Sequence, residues 1–206
     1  MICKGLALLL LAQVTCAATE IQPPRLQIGD RWEMHRVDGY NPQKELARWS
    51  YTVKKQTPRF IVYEVSSNGK TFNNVSTPGL NYPVKMGADG HLAPLMVLQW
   101  PLIPGKKYDY DYFDGSQITT ASVTIEAPEK VSTPAGEFEA IRIEIHGHWR
   151  NDTGRGGDGV WKESRWYAPA VGCIVRDEYK DYSSKGDIHS WTVSELLTST
   201  RGTARP

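Results

Sequence analysis

The chain has 206 residues, with 24 lysines and arginines against 23 aspartates and glutamates and a formal net charge of +1. So even a balance, with no basic stripe, excludes a nucleic-acid surface or an anionic-membrane surface as its working face. The length suits one domain burying about 70% of the surface of its unfolded chain.

Residues 1–18 read as a secretory signal peptide. Lys4 supplies the positive start, residues 6–12 form a short apolar core, and Cys16, Ala17 and Ala18 place small residues where a signal peptidase reads. The apolar run is too short to span a bilayer. Gln13, Val14 and Thr15 match a lipoprotein site poorly, so cleavage after Ala17 or Ala18 is expected, and lipid anchoring at Cys16 is not. The remainder, 19–206, reads as a single all-β domain, periplasmic or secreted, with no integral membrane segment and a tail fraying from about residue 199. Cys3 and Cys16 leave with the leader. Cys173 then stands alone, cannot form an internal disulfide, and reads as a small buried hydrophobe.

Short alternating runs at residues 31–36, 47–55, 60–66, 70–75, 108–113, 117–126 and 188–197 read as strands. Turn signals separate them: Asp38-Gly39, Asn68-Gly69, Pro78-Gly79, Asp89-Gly90 and Asp114-Gly115. No window sustains an apolar period of 3.6 residues long enough for a core helix. The predicted class is all-β, an antiparallel, strongly curved sheet in the form of a β-roll, open barrel or sandwich. Gly29 to Gly39 also echoes Gly105 to Gly115, and residues 49–53 echo 121–125 after a small shift. Two similar halves would explain the echo, and so would shared strand chemistry.

The region 131–179 organises the chain and reads as two or three long antiparallel strands joined by a glycine-rich loop. In its first strand Ile141, Ile143, Ile145 and Trp149 alternate with Arg142, Glu144, His146 and His148. A glycine-rich loop follows, and residues 160–167 return. Pairing Trp149 with Val160 sets Ile143 opposite Trp166 on a buried face, and Glu144 opposite Arg165 and His146 opposite Glu163 on a solvated one. Thr133-Pro134-Ala135-Gly136-Glu137-Phe138 and Trp166-Tyr167-Ala168-Pro169-Ala170-Val171-Gly172-Cys173, ahead of Asp177 and Glu178, resemble a group of exported bacterial β-proteins, the domain of unknown function 3108 and its relatives. Gly29-Asp30-Arg31-Trp32-Glu33 and the run from Trp100 to Tyr108 fit the same group, although Tyr108 stands where tryptophan is expected. The resemblance implies an envelope β-protein and brings no catalytic signature.

His146 and His148, two apart on one strand face beside Glu144, are weak candidates for a metal site. Pairing of these side chains across the hairpin accounts for them without one, and no metal or cofactor is expected. Asp109, Asp111 and Asp114 lack the spacing of a calcium loop. No serine stands in a nucleophile elbow. The most suggestive features are apolar: residues 92–103 are the greasiest after the leader, interrupted by Pro94 and Pro101, and Tyr108, Tyr110 and Tyr112 share one strand face. Leu95, Leu98, Trp100, Tyr108, Tyr110 and Tyr112 are therefore the predicted ligand contacts, for a lipid, a glycan or an envelope protein partner. The competing account makes 95–103 a plug over one end of the core. The leading functional expectation is a non-enzymatic periplasmic protein that binds a hydrophobic or envelope-derived ligand or supports envelope assembly. The alternative is a hydrolase acting on an envelope component with dispersed catalytic residues.

Overall fold

The structure, a computed structural model, describes residues 20–86, 92–113, 115–152, 157–183 and 185–203. The leader, Cys16 included, lies outside the described residues, as do Asp89-Gly90 and Asp114. Among the described residues there are twelve strands and no helix, so no helix is long and apolar enough to cross a membrane. They are β1 (Arg31–Asp38), β2 (Glu45–Gln56), β3 (Ile61–Ser67), β4 (Lys70–Ser76), β5 (Tyr82–Met86), β6 (Leu92–Leu95), β7 (Lys107–Phe113), β8 (Gln117–Thr133), β9 (Gly136–Asn151), β10 (Asp158–Ala168), β11 (Cys173–Tyr182) and β12 (Ile188–Thr200).

Ten of them form a continuous antiparallel sheet in the order β4-β3-β2-β1-β12-β11-β10-β9-β8-β7. The β5–β6 hairpin joins its end through one pair, Met86 with Phe113. Each half of the chain is a meander, and the first and last strands, β1 and β12, pair in the middle to fuse them. The sheet stays open and curls. Asn74 and Ser76 of β4 line the same cleft as Asp177 and Tyr179 of β11. In a flat sheet those strands, five spacings apart, would lie roughly 24 Å from each other.

The echo between the halves has a geometric counterpart. Met34 pairs with Trp49 as Tyr110 pairs with Ala121. Gly29 and Gly105 both take positive φ, +93° and +85°, and their N–H groups donate to the carbonyls of Val53 and Ile125. Glycine reaches this left-handed region without the clash of a Cβ.

The β9–β10 register is one residue from the expected one. Trp149 pairs with Gly159, Ile143 with Arg165, Glu144 with Ser164, and His146 with Lys162. The expected register set Glu163 and Arg165 outward. The fold instead turns Trp161, Glu163, Arg165 and Tyr167 to the side of Ile141, Ile143 and Ile145, and the two sets face the interior together. Aromatic rings over glycines fix this pairing. A Cβ on Gly147 would collide with the Trp161 indole, and one on Gly159 would come 2.7 Å from Trp149 Nε1. Trp166 therefore stands on the outer face. It is buried there all the same, with its N–H donating to Glu129 at 2.6 Å and the Arg176 guanidinium 5.6 Å from its ring centre.

The tail does not fray at residue 199. Ser199 and Thr200 still pair with Trp32 and Arg31, and Arg201 and Gly202 both donate to the fully buried Asp30 carboxylate, at 3.0 and 2.8 Å.

Ile143 is fully buried, so truncation to alanine should cost about 2–5 kcal/mol through the cavity it leaves. Glu144, on the outer face with Arg142 at 3.2 Å, should cost about 1 kcal/mol or less. Urea denaturation of the two variants checks the difference, and equal losses would contradict the assigned faces.

Candidate functional site

The inner face is apolar at both ends and polar across its middle. One row of paired residues runs Ile125, Ile143, Arg165, Asp177, Ser194, Arg36 across six strands. The next runs Tyr108, Val123, Ile145, Glu163, Tyr179, Thr192. Side chains paired directly across neighbouring strands share a face. The arginines and acids are therefore carried inward by the same alternation that buries the isoleucines.

This polar strip forms one side of a cleft of about 540 Å³. Trp32, Met34 and Arg36 enter it from β1, Trp49 and Tyr51 from β2, Tyr63 from β3, and Asn74 and Ser76 from the edge strand β4. Leu26, Leu80, Cys173 and Ile174 close its end. Trp49 meets Tyr51 edge-on, and Tyr51 meets Tyr63 likewise, with ring centres 6.5 and 6.1 Å apart. The wall is a chain of rings in a preferred geometry.

Arg165 organises the acids. Its Nη2 and Nε donate to the same Glu163 oxygen at 2.8 and 2.9 Å, and Nε lies 3.3 Å from Asp177. Burial alone would raise the Glu163 carboxyl. The Arg165 guanidinium and a hydrogen bond with Asp177 outweigh it and hold Glu163 below the usual carboxylate range. Burial, together with repulsion from Glu163, pushes Asp177 well above that range. The two carboxyls are thus pushed apart, Glu163 towards its charged form and Asp177 towards its protonated form. Burial also pushes Tyr63 and Tyr179 up to about 12 and lifts the Cys173 thiol, which leaves the thiol a poor nucleophile.

These shifts set opposite slopes on stability. Glu163, depressed when folded, contributes stability that is present above its ordinary 4.5 and lost as pH falls through its folded value. Asp177, raised when folded, contributes most below its ordinary 3.8 and loses that contribution as pH rises through its folded value. Thermal melts followed by circular dichroism against pH should therefore show Asp177→Asn removing part of the decline on the alkaline side, and Glu163→Gln removing part of the acid side. Parallel pH profiles for wild type and both variants would contradict the opposite shifts of the two carboxyls.

The six predicted ligand contacts lie elsewhere. Leu95 and Leu98 are buried in the core cluster of Val123, Ile125, Ile141, Ile143 and Ile145, the place of a plug. Their segment is pinned from the side. The Asn81 amide exchanges two bonds of 2.7 Å with the Leu98 backbone, and the Tyr108 hydroxyl donates to the Val97 carbonyl at 2.7 Å. Trp100 packs edge-on against Tyr167 at 5.1 Å, and its N–H donates to the Gly79 carbonyl. Tyr110 and Tyr112 stack at 6.5 Å on the inner face, half-buried on the far side of the Glu163 row from the cleft. On the outer face Glu144 is ion-paired with Arg142 and accepts a hydrogen bond from Ser164, His148 lies 3.5 Å from Asp158, and His146 stands opposite Lys162 and Ser122 in the strand register. Among the described residues no three histidine, cysteine, aspartate or glutamate side chains gather to hold a metal ion.

Fold and cleft together define an open, curled all-β protein with a ligand-sized hollow on its inner face. No family model matches the chain, and no curated protein matches it significantly. Among solved structures it is similar to a protein of Bacteroides fragilis described as exported with a YmcC-like fold, at 17% identity and a TM-score of 0.49, over 89% of this chain and 100% of the other. A protein of Parabacteroides distasonis described as a lipoprotein is similar at 14% identity and a TM-score of 0.48, over 87% and 99%. The lipoprotein YmcC of Escherichia coli is similar at 10% identity and a TM-score of 0.37, over 87% and 91%. With lipoproteins among these, the comparisons lend nothing to the expectation that Cys16 stays unmodified.

Proposed function

We propose that this chain is an exported protein of the cell envelope that binds an amphiphilic ligand without transforming it. The observation that supports this best is the 540 Å³ cleft, a size typical of small-molecule sites, with an aromatic and aliphatic wall facing a strip of fixed polar groups. Export through residues 1–18 and the resemblance to the domain of unknown function 3108 group agree with an envelope role. Native mass spectrometry of protein purified from the periplasm tests the reading. The expected result is a co-purifying lipid that leaves on denaturation. Absence of any such species, together with no response of the tryptophan fluorescence to added acyl ligands, would overturn it.

The second reading, a hydrolase, is favoured by one observation, two acids beside the cleft, Glu163 and Asp177, whose surroundings shift them in opposite directions. Shifted acids in a hollow are what acid–base chemistry uses. Against it, Glu163 is 8% exposed and both its bonds from Arg165 fall on one oxygen, an arrangement that holds charge in place more than it offers a base to a substrate. Asp177→Asn separates the two: a binder keeps its ligand, and a hydrolase loses turnover while still loading substrate.

A further inference from the structure

Of the two arginines that line the cleft, only one is held in an ion pair. Arg165 is fully engaged with Glu163 and Asp177. Arg36, at the end of the same row beyond Ser194, is not. It is exposed, its Nε donates to Ser194 Oγ at 3.1 Å, and its guanidinium sits 5.6 Å from the centre of the Trp49 ring. Among the described residues no carboxylate stands within ion-pair distance of it. Asp38, two residues along β1, is occupied by Lys44 at 3.5 Å and by the Tyr40 N–H. The Trp49 ring lines the same cleft, and its indole N–H is buried with no acceptor among the described residues. A buried donor without a partner is costly, so an acceptor carried in by a ligand gains by meeting it. Arg36 feels the Glu163 and Asp177 carboxyls across Ser194 at longer range than an ion pair, which leaves its own N–H donors open to a ligand.

We infer that the cleft selects single-chain amphiphiles with an anionic head, the head seated on Arg36 beside the Trp49 N–H and the tail along Trp32, Met34, Tyr51 and Tyr63. This rests on the reading of the cleft as a ligand site and adds to it the charge of the head. A guanidinium offers parallel N–H donors that match a carboxylate or a phosphate, and such charge-assisted bonds are about twice as strong as neutral ones. The aromatic wall accepts a flexible chain without a fixed geometry.

The test uses four probes with the same tail and different heads: palmitate, cetyl phosphate, cetyl alcohol and cetyltrimethylammonium. Each is titrated below its micelle concentration against delipidated protein, with tryptophan fluorescence and calorimetry as readouts. At least one anionic probe should bind about tenfold or more tighter than cetyl alcohol, and the tighter of the two identifies the head. Arg36→Met should bring the anions to within about twofold of cetyl alcohol while leaving the alcohol unchanged, and Arg36→Lys should keep the preference. Equal binding of all heads, a cation preference, or an anion preference that survives Arg36→Met overturns the inference and leaves ligand binding itself standing. If none of the four binds, the reading of the cleft as a ligand site falls with it.

Discussion

Replacing Arg165 with alanine is expected to destabilise the protein by about 3–5 kcal/mol, the range for removing one partner of a buried ion pair. Glu163 is 8% exposed and depends on Arg165 for two hydrogen bonds, so the truncation strands its charge in the interior. Had Arg165 stood on the outer face opposite Glu144, the loss would be about 1 kcal/mol or less. The register found here, with Arg165 opposite Ile143 and Asp177, makes it the larger figure. Glu163→Gln combined with Arg165→Met should lose less than Arg165→Ala alone, because no uncompensated charge remains. Urea denaturation of the three proteins measures this. A single variant that unfolds like wild type would mean that Arg165 is solvated and that Asp177 alone suffices to hold Glu163.

The strand pattern was readable because half-buried strands announce themselves by alternation. The runs at 31–36, 117–126 and 188–197 lie inside β1, β8 and β12, and β8 extends to Thr133 through an irregularity between Ile125 and Pro128. The β5–β6 hairpin was not foreseen, since Pro94 argues against a ladder position and the hairpin touches the sheet through a single pair. The site was missed for a definite reason. Charge pairing with Glu144 and His146 predicts Glu163 and Arg165 on the solvent side of β10, whereas they are in phase with Trp161 and Tyr167. The same signature recurs in Arg36, in phase with Trp32 and Met34, and in Asp177, in phase with Val175 and Tyr179. A charge on the apolar phase of one strand is an accident of sequence. Three strands that carry it and meet in one row mark a buried polar site, but the meeting depends on β1 pairing with β12, a contact between the two ends of the chain. Alternation is local, and strand order is not.

That seam is also where the other large effect is expected. Asp30 is fully buried at the entry to β1, and its carboxylate accepts from the Gln27 N–H at 2.8 Å, the Gly202 N–H at 2.8 Å and Arg201 Nη1 at 3.0 Å. Two of these donors lie just past the end of β12, so a single carboxylate ties the start of the first sheet strand to the end of the last. Asp30→Ala leaves two part-buried N–H groups without their acceptor and opens a fully buried position, and should cost about 1–3 kcal/mol. Arg201→Ala should cost less, because its side chain is 52% exposed and water takes up the lost bond while both N–H groups stay satisfied. The double variant should fall short of the sum of the two by about 0.5 kcal/mol or more, as partners in one network do. Ending the chain at Thr200 removes the Arg201 and Gly202 donors together and should approach the Asp30→Ala loss. A tail that frayed from residue 199 would let that truncation pass unnoticed in the melting temperature, so the shortened protein distinguishes a loose end from a latch that holds the two halves of the sheet together.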